Sequence, residues 1–232
     1  PVMSLTPPRT EALPLRGERP ERRSSELNGS KTGWRWTTVL AGLALLAPAA
    51  QGGEGMSKAN SLLFDTDHLK NLEGSPTLVY ELKRSGTEGQ SFTDRIQVNL
   101  KENADGETFK ADISYLTGKR ERHVPSVAKA SGNPILKVFL QREVLEIQDE
   151  TGGNWRYFQK AVKKAFSDEA QVETVTFEYR GETVEGKRIH IVPYQGDEYS
   201  ARMGDYAAAE YDLVLSKAVP GEVYRLAAKV PA

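Results

Sequence analysis

The segment FTDRIQVNL, residues 92–100, decides the fold because apolar and polar side chains alternate along it. Its apolar set comprises Phe92, Ile96, Val98 and Leu100, and its polar set comprises Thr93, Arg95, Gln97 and Asn99. Successive side chains of a β-strand point to opposite faces of the sheet, so this pattern predicts a strand that is buried on one face only. One-sided burial of this kind is typical of antiparallel sheets.

The segments on either side repeat the alternation. Residues 78–83 would turn Leu78, Tyr80 and Leu82 inward, and residues 108–116 would turn Phe109, Ala111, Ile113 and Tyr115 inward. The connectors SGTEGQS and ENADGE carry the Gly, Asn, Asp and Ser residues that turns favour. We therefore predict three consecutive antiparallel strands.

The period of the pattern changes from two to about 3.6 after residue 132, which predicts helices. Asn133 is a suitable N-cap with Pro134 at the first helical position, and Gly152-Gly153 ends that helix. A second helix begins at Asn154. The apolar stripe of the first helix is Ile135, Leu136, Phe139, Leu140, Val144 and Ile147, and that of the second is Trp155, Phe158, Val162, Ala165 and Phe166. Together the two segments predict a helical hairpin.

Alternation returns in the last third of the chain. Residues 175–179 and 187–194 predict two strands, and residues 211–215 and 224–230 predict a last hairpin whose Pro220-Gly221 suits a type II turn. The two helices offer the only helical surface that could cover one face of such a sheet. The predicted fold class is α+β, with a curved antiparallel sheet of about seven strands, half-barrel-like, wrapped around a central helical hairpin.

The apolar run TVLAGLALLAPAA, residues 38–50, has the length of a secretory signal rather than of a membrane span. Lys31 and Arg35 precede it, and Ala47-Pro48-Ala49 forms the small-x-small pattern that signal peptidases accept. We therefore predict cleavage before Ala50 and a periplasmic or secreted protein.

This cleavage site gives the predicted domain organisation. Residues 1–49 form a disordered leader and signal peptide, residues 50–75 an N-terminal arm, and residues 76–232 a single antiparallel α+β domain. The start of translation has three alternatives: Met3, another upstream position, or Met56. A start at Met56 would delete the signal and leave a cytoplasmic protein.

Composition removes several classes of function. The chain has no cysteine, which excludes disulfides, a thiolate nucleophile, cysteine-based metal sites and a lipid-modified cysteine. Its 31 basic and 32 acidic residues nearly balance, so nothing favours binding to nucleic acid or to an anionic membrane surface. No G-x-S-x-G, P-loop or G-x-G-x-x-G motif occurs, so we predict no cofactor and favour a non-enzymatic role over a small hydrolase.

Three polar clusters have ordinary structural interpretations. Asp65, Asp67 and His68 in FDTDH lack the further spaced ligands that a metal site requires, so no metal is predicted. His190 alternates with isoleucines and is interpreted as a strand residue rather than a catalytic base. The basic connector, residues 119–123, is interpreted as solvated, with recognition of an anionic head group as the alternative.

The chain closes with YDLVLSKAVPGEVYRLAAKVP, residues 211–231, after amphipathic strands that a helical pair interrupts. Together with the export signal, this layout resembles uncharacterised exported proteins of Gram-negative bacteria. More distantly, it is similar to the half-barrel of the periplasmic lipoprotein carriers and receptors. The resemblance implies a concave apolar surface that is able to hold acyl chains.

We therefore predict an exported, soluble, non-enzymatic envelope protein that binds a lipid or another hydrophobic ligand. The residues predicted to line the ligand site are Tyr80, Phe109, Trp155, Phe158, Phe166 and Tyr179, and ordinary core packing is the alternative interpretation. The alternative function is a periplasmic interaction or scaffold module that contacts an envelope protein through a free sheet edge or the basic connector. We expect no nucleic-acid partner and no stable membrane insertion after signal cleavage.

Overall fold

A computed structural model describes residues 2–11, 56–86 and 91–231, with the backbone alone for residues 9–11. Within these ranges the strands are β1 (Val2–Leu5), β2 (Arg9–Glu11), β3 (Thr77–Ser85), β4 (Phe92–Glu102), β5 (Phe109–Tyr115), β6 (Arg122–His123), β7 (Val127–Ala130), β8 (Gln171–Tyr179), β9 (Glu182–Ile191), β10 (Glu210–Leu215) and β11 (Val223–Lys229). The helices are α1 (Lys58–Asn60), α2 (Ile135–Thr151), α3 (Trp155–Asp168) and α4 (Ser200–Met203).

The described strands form one antiparallel sheet of eleven strands. Along the sheet their order is β6–β5–β4–β3–β1–β11–β10–β9–β8, while β2 pairs with β3 and β7 pairs with β5. Two blocks of sequence neighbours, β3 to β5 and β8 to β11, thus lie on either side of β1. The predicted α+β class with a large antiparallel sheet is confirmed, and the predicted number of strands is too low. Curvature of the sheet around a central helical hairpin stays a prediction.

The boundary of β9 differs from its prediction. The sequence pattern places this strand at residues 187–194, whereas β9 begins at Glu182 and ends at Ile191. Pro193 has no backbone N–H, so it cannot continue the strand pairing. Tyr194 nevertheless contributes a fully buried side chain from the turn that follows.

The N-terminal strand stands where composition predicts a disordered leader. In β1, Leu5 pairs with Leu82 of β3 on one side and with Leu226 of β11 on the other. Met3 and Leu5 are buried in the core. The two inward residues of β1 form too short a pattern to predict a strand. Pairing with strands that are distant in the sequence is what stabilises β1. The predicted signal, residues 38–50, lies outside the described residues.

The end of α2 and the start of α3 follow the predicted capping residues, whereas α2 begins at Ile135, one residue later than predicted, with Pro134 at the N-cap position. Gly152 ends α2 with a φ of 67°, and the Asn154 side chain accepts a hydrogen bond from the Arg156 amide at the start of α3. The buried side chains of both helices belong to the same hydrophobic core as those of the strands. In the described ranges, no helix is long and apolar enough to cross a membrane.

Gly186 on β9 occupies a position where a larger residue does not fit. A Cβ atom there would lie 2.7 Å from the Leu215 carbonyl oxygen and 2.8 Å from the Phe177 ring. We expect Gly186→Ala to lower the free energy of unfolding by about 1–3 kcal/mol, because the backbone oxygen cannot move without disturbing the strand.

Gly132→Ala is the matched control, since its Cβ atom would meet its nearest neighbours at an ordinary 3.5 Å. Urea unfolding followed by circular dichroism measures both variants. Equal losses in the two variants would contradict crowding at Gly186.

Candidate functional site

A cleft of about 670 Å³ opens where the segment after β1, the β3–β4 pair and the β8–β9 hairpin meet. Three tyrosines line it, Tyr80, Tyr179 and Tyr224, and we call it the tyrosine cleft. Its other lining residues are Thr6, Pro7, Pro8, Val79, Glu81, Asp94, Arg95, Glu178 and Arg180. The cleft therefore combines an apolar, aromatic part with a charged part.

The β8–β9 hairpin reaches the cleft because it extends past its neighbour in the sheet. β8 and β9 pair as far as Tyr179 and Glu182, whereas β10 pairs with β9 only over residues 187–191. Arg180 and Gly181 form the tip with φ values of 53° and 84°, as in a type I′ turn. This tip brings Tyr179 and Arg180 to the cleft.

Aromatic contacts hold the rings of the cleft in place. The Phe177 ring stacks on Tyr224 with centroids 3.7 Å apart, and the Tyr179 ring lies edge-on to Tyr224 at 6.4 Å. A bulge in β11 leaves Tyr224 without a partner on β10. Tyr80 is fully buried, and its hydroxyl accepts a hydrogen bond of 2.7 Å from Asn133 Nδ2. Burial raises the pKa of Tyr80, so this residue stays neutral.

A second feature of this part of the molecule is the hydroxyl group of Tyr179. It is buried and makes no hydrogen bond within the described part of the chain. A buried hydroxyl without a partner costs about 1–3 kcal/mol.

The carboxylates of the cleft already have partners. Glu81 pairs with Lys83 at 2.9 Å, Asp94 pairs with Arg120 at 2.9 Å, and Glu178 accepts a hydrogen bond from the Thr183 hydroxyl. Burial by itself would raise the pKa of Asp94, but hydrogen bonds led by that from the Thr117 hydroxyl outweigh this effect and lower it. Asp94 therefore remains ionised near neutral pH, and all three carboxylates are occupied by intramolecular partners.

The two arginines of the cleft differ from these carboxylates in their contacts. Among the residues that the structure describes, neither Arg95 nor Arg180 forms an ion pair with a carboxylate. Glu81 lies opposite Arg95 in the strand register, yet its carboxylate is engaged by Lys83. The Arg180 guanidinium lies over the Tyr179 ring, 5.3 Å from the centroid. Guanidinium groups match carboxylates and phosphates, so the cleft offers donors for an acidic group.

The structure brings together two of the six predicted ligand residues, Tyr80 and Tyr179. The other four do not line the cleft. Phe109, Phe158 and Phe166 are buried elsewhere in the core, with exposed fractions of 5%, 3% and 1%. The Trp155 ring is half-buried, and the Arg156 guanidinium lies over it, 4.6 Å from its centroid. Sequence reasoning missed Tyr224, Arg95 and Arg180. The turn signal at Arg180-Gly181 could have indicated the hairpin tip, but not the strands that it approaches.

His68 in FDTDH has a structural role. The Asn133 amide donates to His68 Nδ1 at 3.2 Å, so Nε2 carries the proton and donates to the Leu62 carbonyl at 2.8 Å. Burial lowers the pKa of His68 and keeps it neutral. The described ranges contain no group of three or more His, Cys, Asp or Glu side chains that could hold a metal ion.

The other polar candidates also make intramolecular contacts. Arg120 of the basic connector pairs with Asp94 and lies over the Phe92 ring at 4.8 Å. His190 lies on β9 with its Nδ1 atom 3.3 Å from Asp212 Oδ1, and Arg188 Nε donates to the same oxygen at 2.5 Å. Solvation of the connector and its recognition of a head group both stay predictions.

A Ser-x-x-Lys spacing occurs at Ser126 and Lys129. Residues 127–130 are strand β7, and residues three apart in a strand point to opposite faces. The Ser126 hydroxyl donates a hydrogen bond to Asp112. This geometry does not provide a serine nucleophile with an adjacent lysine base.

Glu143 on α2 is a buried acid outside the cleft. Its Oε1 atom has no hydrogen-bond partner among the described residues. Burial, with repulsion from Glu146, raises its pKa to about 8, although Arg84 opposes the shift. Arg84 and Glu146 form an ion pair of 2.6 Å beside it. Glu143 is therefore protonated and neutral at pH 7.

Comparison of the chain with protein-family models, with curated proteins and with solved structures returned no match.

Proposed function

We propose that this protein is a non-enzymatic binding protein that holds a hydrophobic ligand with an acidic head group in the tyrosine cleft. The observation that carries the proposal is the pair of arginines, Arg95 and Arg180, which line an aromatic cleft and form no ion pair with a carboxylate among the described residues. A long-chain carboxylic acid has the matching chemistry, with an apolar body and a head group that accepts hydrogen bonds.

The size of the cleft supports a ligand of this class. Small-molecule sites are commonly about 300–1,000 Å³, and the tyrosine cleft has about 670 Å³. Apolar contact with the rings of Tyr179 and Tyr224 would contribute roughly 25 cal/mol for each Å² removed from water. Arg95 and Arg180 would fix the acidic end, because a guanidinium forms paired hydrogen bonds to a carboxylate.

The proposal keeps the exported, envelope-located role that the signal pattern predicts, and the half-barrel resemblance agrees with an acyl ligand. A periplasmic interaction module is the second candidate. The position of β1 in the middle of the sheet favours that candidate. Within the described sheet, β1 pairs only with strands that lie far from it in the sequence, as a strand from a second polypeptide would.

We expect the protein to bind oleate and to lose affinity about 10- to 100-fold in the double variant Arg95→Gln, Arg180→Gln. The variant removes both groups that would hold the carboxylate, while the methyl ester, which has no charge, should lose far less. Displacement of a fluorescent fatty acid measures these affinities.

Arg156→Gln is the matched control, because Arg156 also lies over an aromatic ring but outside the cleft. Its affinity for oleate should equal that of the parent. An absence of oleate binding by the parent, or equal losses for oleate and its methyl ester, would rule out recognition of an acidic head group in the cleft.

A further inference from the structure

β1 lies between β3 and β11, two strands that do not pair with each other in the described part of the sheet. The space that β1 fills is formed by the edges of β3 at residues 82–85 and of β11 at residues 226–229, and we call it the strand slot. Their separation across β1 is two strand spacings, about 10 Å. Without an occupant, two rows of backbone donors and acceptors would face each other unpaired.

The occupant of the slot is recognised by an alternating pattern. Met3 and Leu5 point inward and are 9% and 0% exposed, whereas Val2 is 37% exposed. Lys229 lies opposite Val2, and Lys83 lies opposite Ser4. The slot therefore fits an extended segment with apolar side chains at alternate inward positions and neutral or acidic residues at the outward positions.

Backbone contacts also continue past the strand. The Thr6 amide donates to the Glu81 carbonyl at 3.0 Å, and the three residues of β2 then pair with residues 77–79 of β3. The N-terminal segment is thus bound along most of the β3 edge. All these contacts are non-covalent, and residues 12–55 are the covalent link between this segment and the rest of the domain.

We infer that the strand slot is an acceptor site for an extended strand of a partner polypeptide with this alternating pattern, supplied in trans once residues 2–11 are cut from the chain. Cleavage before Ala50, the predicted export step, would make that cut. In the uncut chain the tethered strand competes at an effective concentration on the order of millimolar, which keeps a trans strand out. This inference uses the predicted export and does not depend on ligand binding in the tyrosine cleft, although the same cut removes Thr6, Pro7 and Pro8 from the wall of that cleft.

The test introduces a site-specific protease sequence between residues 12 and 55 of the full chain. After the folded protein is cut, a fluorescent peptide comprising residues 1–11 is added, and anisotropy reports uptake. We expect the cut protein to bind this peptide at least tenfold more tightly than the uncut protein. The same peptide with Leu5→Asp should bind at least about 100-fold more weakly, because the inward position is fully buried.

Size-exclusion chromatography with mass spectrometry shows whether the original fragment stays bound after cutting. Retention of the parent fragment, with loss of the fragment in a chain that carries Leu5→Asp, supports a non-covalent strand site. The inference would be overturned if the parent fragment were released and the remaining protein kept its circular dichroism spectrum but took up no peptide. In that case β3 and β11 would have closed on each other. Equal uptake of the Leu5→Asp peptide would also overturn it.

The cleft variant Arg95→Gln, Arg180→Gln separates the two proposals. Both arginines lie outside the strand slot, so uptake of a peptide that ends at Leu5, before the cleft residues Thr6, Pro7 and Pro8, should be unchanged in this variant even if oleate binding is lost. A loss of peptide uptake together with oleate binding would overturn the independence of the slot.

Discussion

Replacing Asn133 by Ala is expected to lower the free energy of unfolding by about 3–4 kcal/mol. Asn133 is 2% exposed, and its Nδ2 atom donates to the Tyr80 hydroxyl at 2.7 Å and to the Gly221 carbonyl at 2.8 Å. Its Oδ1 atom accepts a hydrogen bond of 3.2 Å from the Ile135 amide at the start of α2. The side chain therefore joins β3, the β10–β11 turn and α2.

The size of the loss follows from what the substitution leaves behind. Alanine removes all three hydrogen bonds, and the Gly221 carbonyl and the Ile135 amide are then buried without their partners. Each such group costs about 1–3 kcal/mol, and water would recover part of this cost only if it entered the space vacated by the amide. Urea unfolding followed by circular dichroism measures the difference.

Asn154→Ala provides the matched control. Asn154 is exposed, and its side chain makes one capping bond of 2.9 Å to the Arg156 amide. Loss of an N-cap of this kind costs about 1 kcal/mol. Equal losses of unfolding free energy at the two positions would contradict the prediction. They would show that the burial of Asn133 and its hydrogen bonds to three elements contribute no more stability than a local helix cap.

The second large effect is a pH dependence that Glu143 introduces. The pKa of Glu143 is about 8 in the folded protein, against an ordinary value of 4.5. Between these two values the folded state binds more protons than the unfolded state, so the stability falls as the pH rises. The slope is at most about 1.4 kcal/mol for each pH unit, and the loss is complete once the pH exceeds the folded pKa.

Several charged and polar groups surround Glu143. They are Arg84, Tyr115, Glu146, Tyr194, Tyr206 and Tyr211. Burial raises the pKa of Glu146 as well, although its ion pair with Arg84 opposes the shift. Tyr194 and Tyr211 lie beside each other in the same buried environment. Ionisation of Glu143 therefore adds a second negative charge beside one cation in a buried environment.

We expect Glu143→Gln to match the parent near pH 4 and to be more stable by about 3 kcal/mol at pH 7. Glutamine keeps the size of the side chain and cannot ionise. Denaturant unfolding at a series of pH values checks this expectation. Glu150→Gln on the exposed side of α2 is the control, and an unchanged pH slope in Glu143→Gln would contradict the assignment.

Local sequence patterns predicted those strands and helices that are determined mainly by neighbouring residues. In β4, burial of Ile96, Val98 and Leu100 confirms the alternation. The residues that end α2 and begin α3, Gly152 and Asn154, act as predicted because caps depend on the backbone of one turn. β1 escaped prediction because its four residues become a strand only between β3 and β11.

The tyrosine cleft shows the same division within one site. Tyr80 and Tyr179 were candidates because aromatic residues on amphipathic strands face an interior. Tyr224 reaches the cleft through a bulge, and Arg95 faces it although the alternation assigns that residue to the polar side of β4. No periodic pattern in the sequence indicates either of these placements.

The order of residues was thus sufficient for the α+β class, for the presence of seven of the eleven described strands and of the two long helices, and for the exclusion of cysteine chemistry. Tertiary structure alone decided which strand lies at the centre of the sheet, which tyrosines meet, and which acid is buried. The reason is physical: side-chain periodicity and capping act over a few residues, whereas strand pairing, desolvation of Glu143 and the contact between Tyr179 and Tyr224 join residues that are far apart in the chain.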